Sequence, residues 1–245
     1  MKEEHILLTL GKIQLHMTDK SHKFITCENC QTRKDTLFQS FCGDTVEGLD
    51  AVKTCSHYKK NQPLFLEGSS PRGVFCMNSG MVKIFTRGEE GKEQIIHVSA
   101  AGEIVGFRAM FSGEPYKVSA TTLEESNICF IGKADFLNLV DTNITLRNGI
   151  MKELSTELAE RATFITNMAQ KSVRERLAFS LVLLDDIYKH EMINLTREDL
   201  ANFVGTATET LIRLLKDFKE ESLIQTHARK IEILDKEGLL LVAGA

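Results

Sequence analysis

Cysteine residues are the side chains of this sequence whose types and spacing most clearly indicate chemistry. Cys27 and Cys30 form a C-x2-C pair, and four of the six cysteines fall within the first 55 residues. Two thiolates from one tight turn and two distant ones can hold an iron–sulfur cluster. The pair also suits a closed zinc site made by His22, Cys27, Cys30 and Cys42, or a reversible disulfide. From the residues alone, four alternatives remain: an iron–sulfur cluster, a zinc site, a reversible disulfide and no cofactor.

The two cysteines farther along the chain lie singly within apolar runs. Free cysteine usually packs as a small hydrophobic side chain. We therefore interpret Cys76 as a core residue, while Cys129 in SNICFIG fits a core position and a ligand equally well.

A second chemical pattern lies near the C-terminus, in NLTREDLANFVGTATETLIRLLKDF. Thr196 is placed to cap a first helix, Gly205 permits a turn, and Thr206 is placed to cap a second helix. A short strand pair with the basic tip Arg229-Lys230 follows. Helix, turn, helix and strand pair are typical of a winged helix-turn-helix.

One polar face of the second helix could recognise DNA bases. Arginine bonds to guanine through two hydrogen bonds, and glutamate accepts one from cytosine. Glu209 has a structural alternative, because Thr206 and Glu209 also fit a capping box. The predicted base contacts are Thr208, Glu209, Ile212 and Arg213, and the predicted phosphate contacts are Lys216, Arg197 and Thr196.

The elements that must position these residues differ along the chain. Between residues 55 and 132, short β-rich runs alternate with glycine and serine, which predicts a small antiparallel barrel or sandwich. Within it, VKIFTRGEEGKEQIIHV predicts a hairpin that turns at residues 88–91.

A long helix is predicted from residue 145 to 170. Its apolar residues form one stripe, which a second copy of the chain would cover, so we expect a homodimer. Arg161 falls on the same seam, where it would either face its copy or extend outward to an acidic side chain. The stripe consists of Ile144, Met151, Leu154, Leu158, Ile165 and Met168.

The fold class that follows is α+β, with a small β-barrel, a long dimerisation helix and a C-terminal winged helix-turn-helix. The predicted domains are a cysteine-containing arm (1–42), an effector-sensing barrel (43–142), the dimerisation helix (143–170) and the DNA-binding domain (171–245).

Composition excludes several classes of protein. A hydrophobic share of 42% with 26% charged residues excludes a wholly disordered chain. No run approaches the roughly 18 apolar residues of a membrane-spanning helix, and the N-terminus does not resemble a secretory signal, so we expect a cytoplasmic protein. No nucleophile, acid–base pair or phosphate loop indicates an enzyme. The net charge of −4 requires any nucleic-acid contact to be local.

LTREDLANFVGTATETLIRLLKDF, together with the barrel and long helix, resembles the CRP/FNR superfamily of bacterial transcription regulators from about residue 43 to 240. The resemblance implies that the barrel is cyclic-nucleotide-binding-like. It also implies a dimer on an inverted DNA repeat and RNA polymerase as a partner. The family's E-x-x-x-R element, which contacts bases, corresponds to Glu209 and Arg213. The position between them, often serine in the family, is Ile212 here.

The barrel resembles the oxygen-sensing FNR branch, particularly in the segment GEIVGF at residues 102–107. Gly106-Phe107 replaces the Gly-Glu pair of the cyclic-AMP branch, and Tyr116-Lys117 replaces its Arg-Ser pair. The resemblance therefore gives no expectation of cyclic AMP binding, although Lys117 and Arg108 leave another anion as an alternative.

The FNR branch holds a [4Fe-4S] cluster through four cysteines. Cys27, Cys30 and Cys129 match three of its ligand positions. The resemblance places the remaining ligand in the N-terminal segment. Cys42 is our choice, although eleven residues separate it from Cys30, and Cys55 is the second choice.

We therefore expect a transcription regulator controlled by oxygen or redox state through an iron–sulfur cluster. The same regulator with zinc, a thiol switch or a small-molecule effector is the first alternative. A ligand-sensing interaction module that does not bind DNA is the second. It is favoured by the acidic balance of residues 171–245, which hold 11 Lys and Arg against 13 Asp and Glu.

Overall fold

The computed structural model of this protein describes residues 25–244. His22 and the rest of the arm before residue 25 lie outside the described residues. The helices are α1 (Asp44–Val52), α2 (Arg108–Ser112), α3 (Lys133–Thr142), α4 (Ile144–Gln170), α5 (Val173–Ile187), α6 (Arg197–Val204), α7 (Thr208–Glu220) and α8 (Lys236–Ala243), with a 3-10 helix at Gln31–Asp35. The strands are β1 (Lys53–Tyr58), β2 (Pro63–Phe65), β3 (Gly73–Ser79), β4 (Val82–Arg87), β5 (Glu93–Ser99), β6 (Ile104–Val105), β7 (Ser119–Thr122), β8 (Ser126–Gly132), β9 (Ile224–His227) and β10 (Lys230–Ile233).

Eight of the strands form a β-sandwich of two antiparallel sheets. The strand orders are β1-β8-β3-β6 and β2-β7-β4-β5. Phe75 and Met77 of β3 alternate with the half-buried Cys76 and belong to an apolar cluster with Val82 and Ile84 of the other sheet. The predicted hairpin is confirmed, since β4 and β5 pair from Val82↔Ser99 to Arg87↔Glu93.

The arm and helices α1, α3 and α4 build a second apolar cluster beside the first sheet. Phe38 and Phe41 of the arm pack edge to face, with ring centroids 5.3 Å apart. The same cluster contains Phe136 of α3 and Leu146 of α4. The arm is thereby packed against the sandwich.

The predicted long helix is confirmed as α4. Asn143 caps its N-terminus, because its side chain accepts a hydrogen bond from the backbone N–H of Leu146 at 2.9 Å. Four apolar residues spaced seven apart are exposed along it, with exposed fractions of 61% for Ile144, 62% for Met151, 72% for Leu158 and 66% for Ile165. A single chain leaves this stripe in water.

Helices α5 to α8 and the β9–β10 hairpin form the winged helix-turn-helix. α5 starts at a capping box made by Ser172 and Glu175. The apolar face of α7 packs into the core through Leu211, Leu215 and Phe218. These side chains belong to the same buried cluster as barrel residues, including Phe85. The predicted α+β fold class is thereby confirmed. Among the residues described here, no helix is long and apolar enough to cross a membrane.

Candidate nucleic-acid interface and cysteine cavity

Helix α7 exposes the polar face that the sequence predicts to contact DNA. Glu209, Ile212, Arg213 and Lys216 are exposed at intervals of three and four residues, while Thr208 is half-buried. Within residues 25–244, the side chains of Glu209 and Arg213 make no hydrogen bond or ion pair. This face therefore exposes to solvent a carboxylate and a guanidinium that have no charged partner in the described part of the chain, near the N-terminus of α7.

The start of α7 differs from the sequence prediction. The N-cap residue is Ala207, and no side chain caps the helix. Thr206 is buried in the turn instead, where its backbone N–H bonds to the carbonyl of Ala201 at 3.0 Å. The predicted cap at Thr206 and the capping box with Glu209 are wrong, because the turn after Gly205 holds Thr206 one residue before the helix.

The predicted phosphate contacts lie at the start of α6 and farther along α7. Thr196 caps α6, with its hydroxyl accepting the backbone N–H of Asp199 at 3.0 Å. Arg197 donates to the carbonyl of Arg229 at 2.8 Å, which joins α6 to the tip of the β9–β10 hairpin. Desolvation lowers the pKa of Arg197 from its ordinary value. Lys216 lies 3.6 Å from Glu220 on the exposed surface of α7.

The barrel contacts the helix-turn-helix directly through polar groups that sequence reasoning missed. Lys92 Nζ donates to the carbonyl of Thr206 at 2.9 Å, and Gln94 Nε2 donates to that of Asn202 at 2.8 Å. The Thr206 carbonyl lies in the turn between α6 and α7, and the Asn202 carbonyl lies in α6. Movement of the β4–β5 hairpin would therefore be transmitted to the turn that positions α7.

An ion-pair network strengthens the same contact. Lys83 Nζ lies 2.6 Å from Glu93 Oε2 and 2.8 Å from Asp199 Oδ1, and all three side chains are less than one-fifth exposed. Burial alone would lower the pKa of Lys83, but its bonds to Asp199 and Glu93 raise it above the ordinary value. The network joins barrel strands β4 and β5 to α6.

A cavity beneath the arm brings four cysteines together. Cys27 and Cys30 of the arm, Cys76 of β3 and Cys129 of β8 all line it, and its volume is about 40 Å³. Among the described residues, no three cysteine sulfurs lie within 4.8 Å of one another. Cys27 and Cys30 thus share this cavity with Cys129, a ligand proposed from the sequence. They also share it with Cys76, interpreted from the sequence as a core residue.

The other two predicted thiol ligands lie elsewhere. Cys42 is exposed, and its backbone N–H bonds to Thr45 Oγ1 at 3.0 Å, outside the cavity lining. Cys55 forms a disulfide with Cys129, with the two Cα atoms 4.0 Å apart. Cys129 is therefore bonded to Cys55 in this structure, because the register of β1 and β8 places the two residues directly opposite.

Burial dominates the ionisation of the cavity thiols. It raises the pKa of Cys76 to about 12, with a further contribution from the charges of Cys27 and Cys30. Burial also raises the pKa of Cys27, although the Lys53 ammonium beside it acts in the opposite direction. A thiolate here would need a neighbouring cation to stabilise its charge.

Arg161 does not occupy the position expected from the dimer seam. Its guanidinium points toward the barrel and donates through Nη1 to the carbonyl of Ile96 in β5. Desolvation lowers the pKa of Arg161, and the charge of Arg108 lowers it further. Arg108 itself pairs with Glu157 at 3.3 Å. The prediction that two copies of Arg161 face one another is wrong, because the helix turns this side chain onto its own barrel.

A pocket of about 240 Å³ in the barrel contains no acidic side chain in its lining. Phe65 and Tyr116 stack there with ring centroids 3.8 Å apart, and Tyr116 donates to the carbonyl of Gly73 at 3.2 Å. Arg108 and Lys117 line the pocket, with Lys117 paired to Glu114 at 3.1 Å. That the barrel does not bind cyclic AMP stays a prediction.

Asp185 anchors the last helix to the rest of the domain. Its carboxylate contacts His190 Nδ1 at 2.7 Å and Lys236 Nζ at 3.0 Å. Burial would raise the pKa of Asp185, but these two partners lower it below the ordinary value. The contact ties α8 to α5.

Comparison with known proteins agrees with both halves of the structure. The chain matches the Cyclic nucleotide-binding domain family over residues 55–143 and the Crp-like helix-turn-helix domain family over residues 175–241. The fold is similar to that of FixK2 from Bradyrhizobium japonicum, with a TM-score of 0.72 at 18% identity, covering 79% of this chain and 98% of that one.

Two relatives are similar along most of their length. Electron transport regulator A of Shewanella oneidensis is 30% identical, covering 90% of this chain and 91% of the relative. Transcriptional activator protein Anr of Pseudomonas aeruginosa is 29% identical, covering 89% and 92% respectively. With its barrel, long helix and helix-turn-helix, this chain belongs to the CRP/FNR family of transcription regulators, on the FNR side of that family.

Proposed function

We propose that this chain acts as a homodimer that binds an inverted DNA repeat through α7, under the control of oxygen or redox state through a cysteine-ligated iron–sulfur cluster. The observation that carries the DNA-binding part is the exposed face of α7, where Glu209 and Arg213 have no partner within residues 25–244. RNA polymerase is the protein partner that a regulator of this family would contact.

The dimer supplies the geometry for a repeat. Two recognition helices must lie about 34 Å apart to enter successive major grooves on one side of the duplex. The exposed stripe of α4, with Leu158 at its centre, is the surface through which two chains would pair. Each protomer then contributes one Glu209 and one Arg213 to its own half-site.

The cysteine cavity supports the iron–sulfur assignment over zinc. Zinc bonds to sulfur at about 2.3 Å in a tetrahedron, so its four sulfurs lie about 3.8 Å apart. The described residues contain no cysteine group that is so compact. In a four-iron cluster, each thiolate bonds a different iron, so the sulfurs need not converge on one ion. Cys27, Cys30 and Cys129 would hold it, and the cluster would supply the oxygen-reactive centre.

A second candidate signal is a thiol switch. The disulfide between Cys55 and Cys129 favours it, since β1 and β8 place these two residues opposite each other. The two mechanisms share Cys129. In the switch, oxidation of two thiols alone would change the sheet under the arm, without a metal.

Either signal can reach the DNA through the same contacts. Cys76 and Cys129 lie on strands of the first sheet, and the β4–β5 hairpin of the second sheet holds the helix-turn-helix through Lys83, Lys92 and Gln94. A change beneath the arm would shift the population of barrel positions and, with it, the spacing of the two α7 helices.

Binding to DNA is tested by measuring the fluorescence anisotropy of a labelled duplex over a range of salt concentrations. A duplex obtained by selection from random sequence should bind with a steep salt dependence, because phosphate contacts release counterions. Arg213→Ala should weaken binding by about 1–3 kcal/mol and relax the base preference at one position. Lys59→Ala, which removes an exposed lysine of the barrel far from α7 in the sequence, is the matched control.

Two results would contradict the DNA-binding assignment. One is binding that is absent, or independent of salt, in every redox and metal state. The other is unchanged affinity and base preference in the Glu209→Ala/Arg213→Ala double variant. Either would favour an interaction module that recognises a protein or a small molecule instead.

A further inference from the structure

Three cysteines form a row across the first sheet. In the paired strands, Cys129 of β8 lies opposite Cys55 of β1 on one side and opposite Cys76 of β3 on the other. Residues directly opposite one another in antiparallel strands point to the same face of the sheet. Phe75 and Met77, which flank Cys76, point into the sandwich. The three cysteines therefore face outward, toward the arm.

The arm is fixed over this row by contacts to β3. Asn78 Nδ2 donates to Cys30 Sγ at 3.1 Å, and Thr32 Oγ1 donates to the carbonyl of Asn78 at 3.1 Å. Asn78 lies at the bulge between Met77 and Ser79 and lines the same cavity as Cys76. These bonds place the C-x2-C turn above Cys76, and amide hydrogen bonds to sulfur are among the features that tune iron–sulfur clusters.

We propose that Cys76 is the fourth ligand of the metal centre, with Cys27, Cys30 and Cys129, and that Cys42 lies outside the ligand set. This rests on the proposed cluster and names its ligands. The four residues are the cysteines that line the cavity under the arm, which is also lined by Lys53, whose ammonium pairs with Asp50 at 2.6 Å.

Cys42 is excluded by its position. It lies at the N-terminal end of α1, exposed, with both its backbone N–H and its carbonyl bonded to the Thr45 hydroxyl. Its side chain does not line the cavity. The eleven-residue gap after Cys30 carries the chain away from the sheet, through the 3-10 helix and the two buried phenylalanines Phe38 and Phe41.

Cys55 has a different role from the ligands. Its disulfide with Cys129 removes a thiolate that the site needs. A thiol reductant must first give this disulfide two electrons and two protons, which releases two thiols and oxidises the reductant to its own disulfide. Cys129 then deprotonates as it bonds iron, and Cys55 remains a free thiol beside the site.

The test uses the full-length chain, reduced with dithiothreitol and reconstituted anaerobically with ferrous iron and sulfide. Iron, acid-labile sulfide and visible absorption are measured for the wild type and for Cys76→Ser, Cys42→Ser and Cys55→Ser. Cys76→Ser should lose about tenfold or more of all three signals. Cys42→Ser and Cys55→Ser should match the wild type, and circular dichroism should show that each variant is folded.

A second measurement needs no variant. Iodoacetamide labelling followed by mass spectrometry compares the loaded wild type with the same protein after chelation of its iron. Cys76 should be protected in the loaded protein together with Cys27, Cys30 and Cys129, whereas Cys42 should be alkylated in both states.

The outcomes separate this proposal from the proposed function. A wild type that holds iron and sulfide, together with a Cys76→Ser variant that holds as much, overturns the ligand assignment alone. Loss of iron from Cys42→Ser, or alkylation of Cys76 in the loaded protein, does the same. If the wild type holds no iron or sulfide, both the proposed cluster and this ligand set are wrong. The DNA-binding proposal is unaffected by that result, because the anisotropy titration tests it separately.

Discussion

Replacing Leu158 by alanine should weaken the homodimer, because this leucine is the most exposed member of the α4 stripe. In the single chain its side chain is 72% exposed, and Ile144, Met151 and Ile165 are exposed at the same seven-residue interval. If two α4 helices pair along this stripe, each Leu158 leaves water. The substitution removes that gain twice, once in each protomer.

The size of the effect follows from the exposed fraction. Full burial of a leucine side chain contributes about 1.5–3 kcal/mol. With 72% of Leu158 still exposed, about 1–2 kcal/mol remains to be gained in each protomer. Two protomers together give about 2–4 kcal/mol, which raises the dimer dissociation constant about 30- to 1000-fold.

Analytical ultracentrifugation over a dilution series measures this dissociation constant directly. Leu241→Ala is the matched control, since Leu241 is 81% exposed on α8, outside the stripe. The control should leave association unchanged. If Leu158→Ala has the same dimer dissociation constant as the wild type, the stripe is not the interface. An equally raised dissociation constant in Leu241→Ala would also refute it.

Three further predictions concern stability. Lys83→Met should lower the free energy of unfolding by about 3 kcal/mol in a urea titration, because the mostly buried carboxylate of Asp199 loses its cation, whereas Glu93 keeps Arg87 at 3.1 Å; Lys83→Arg should keep most of the stability, and equal losses would contradict the ion-pair argument. Gly205→Ala should cost about 1–3 kcal/mol in the same titration, since φ is +74° and the new Cβ would lie 3.2 Å from Met168 Sδ; unchanged stability would contradict it. Asp185→Asn should destabilise by about 1–3 kcal/mol at pH 7. The carboxyl pKa is lowered on folding, so this difference should shrink as the pH falls below the ordinary value of 3.8. Thermal unfolding at several pH values checks the trend, and a difference that is constant with pH would count against it.

Local sequence signals predicted those elements whose causes lie within a few residues. The apolar periodicity of α4, the hairpin at residues 88–91 and the cap at Thr196 each depend on neighbours in the chain, and the structure contains all three. The resemblance to the CRP/FNR superfamily supplied the family and the FNR branch. Thr206 shows the limit, since which residue begins α7 depends on how the turn packs.

The sequence by itself determined the succession of elements, the polar face of α7 and the apolar stripe of α4, because helical and strand periods are set along the chain. Tertiary structure decided which cysteines meet, since only the pairing of β3 with β8 sets Cys76 beside Cys129 and only the docked arm brings Cys27 and Cys30 to them. It also turned Arg161 onto the barrel instead of a second chain. Contacts between residues far apart in sequence depend on strand register and packing, and neither is encoded in local spacing.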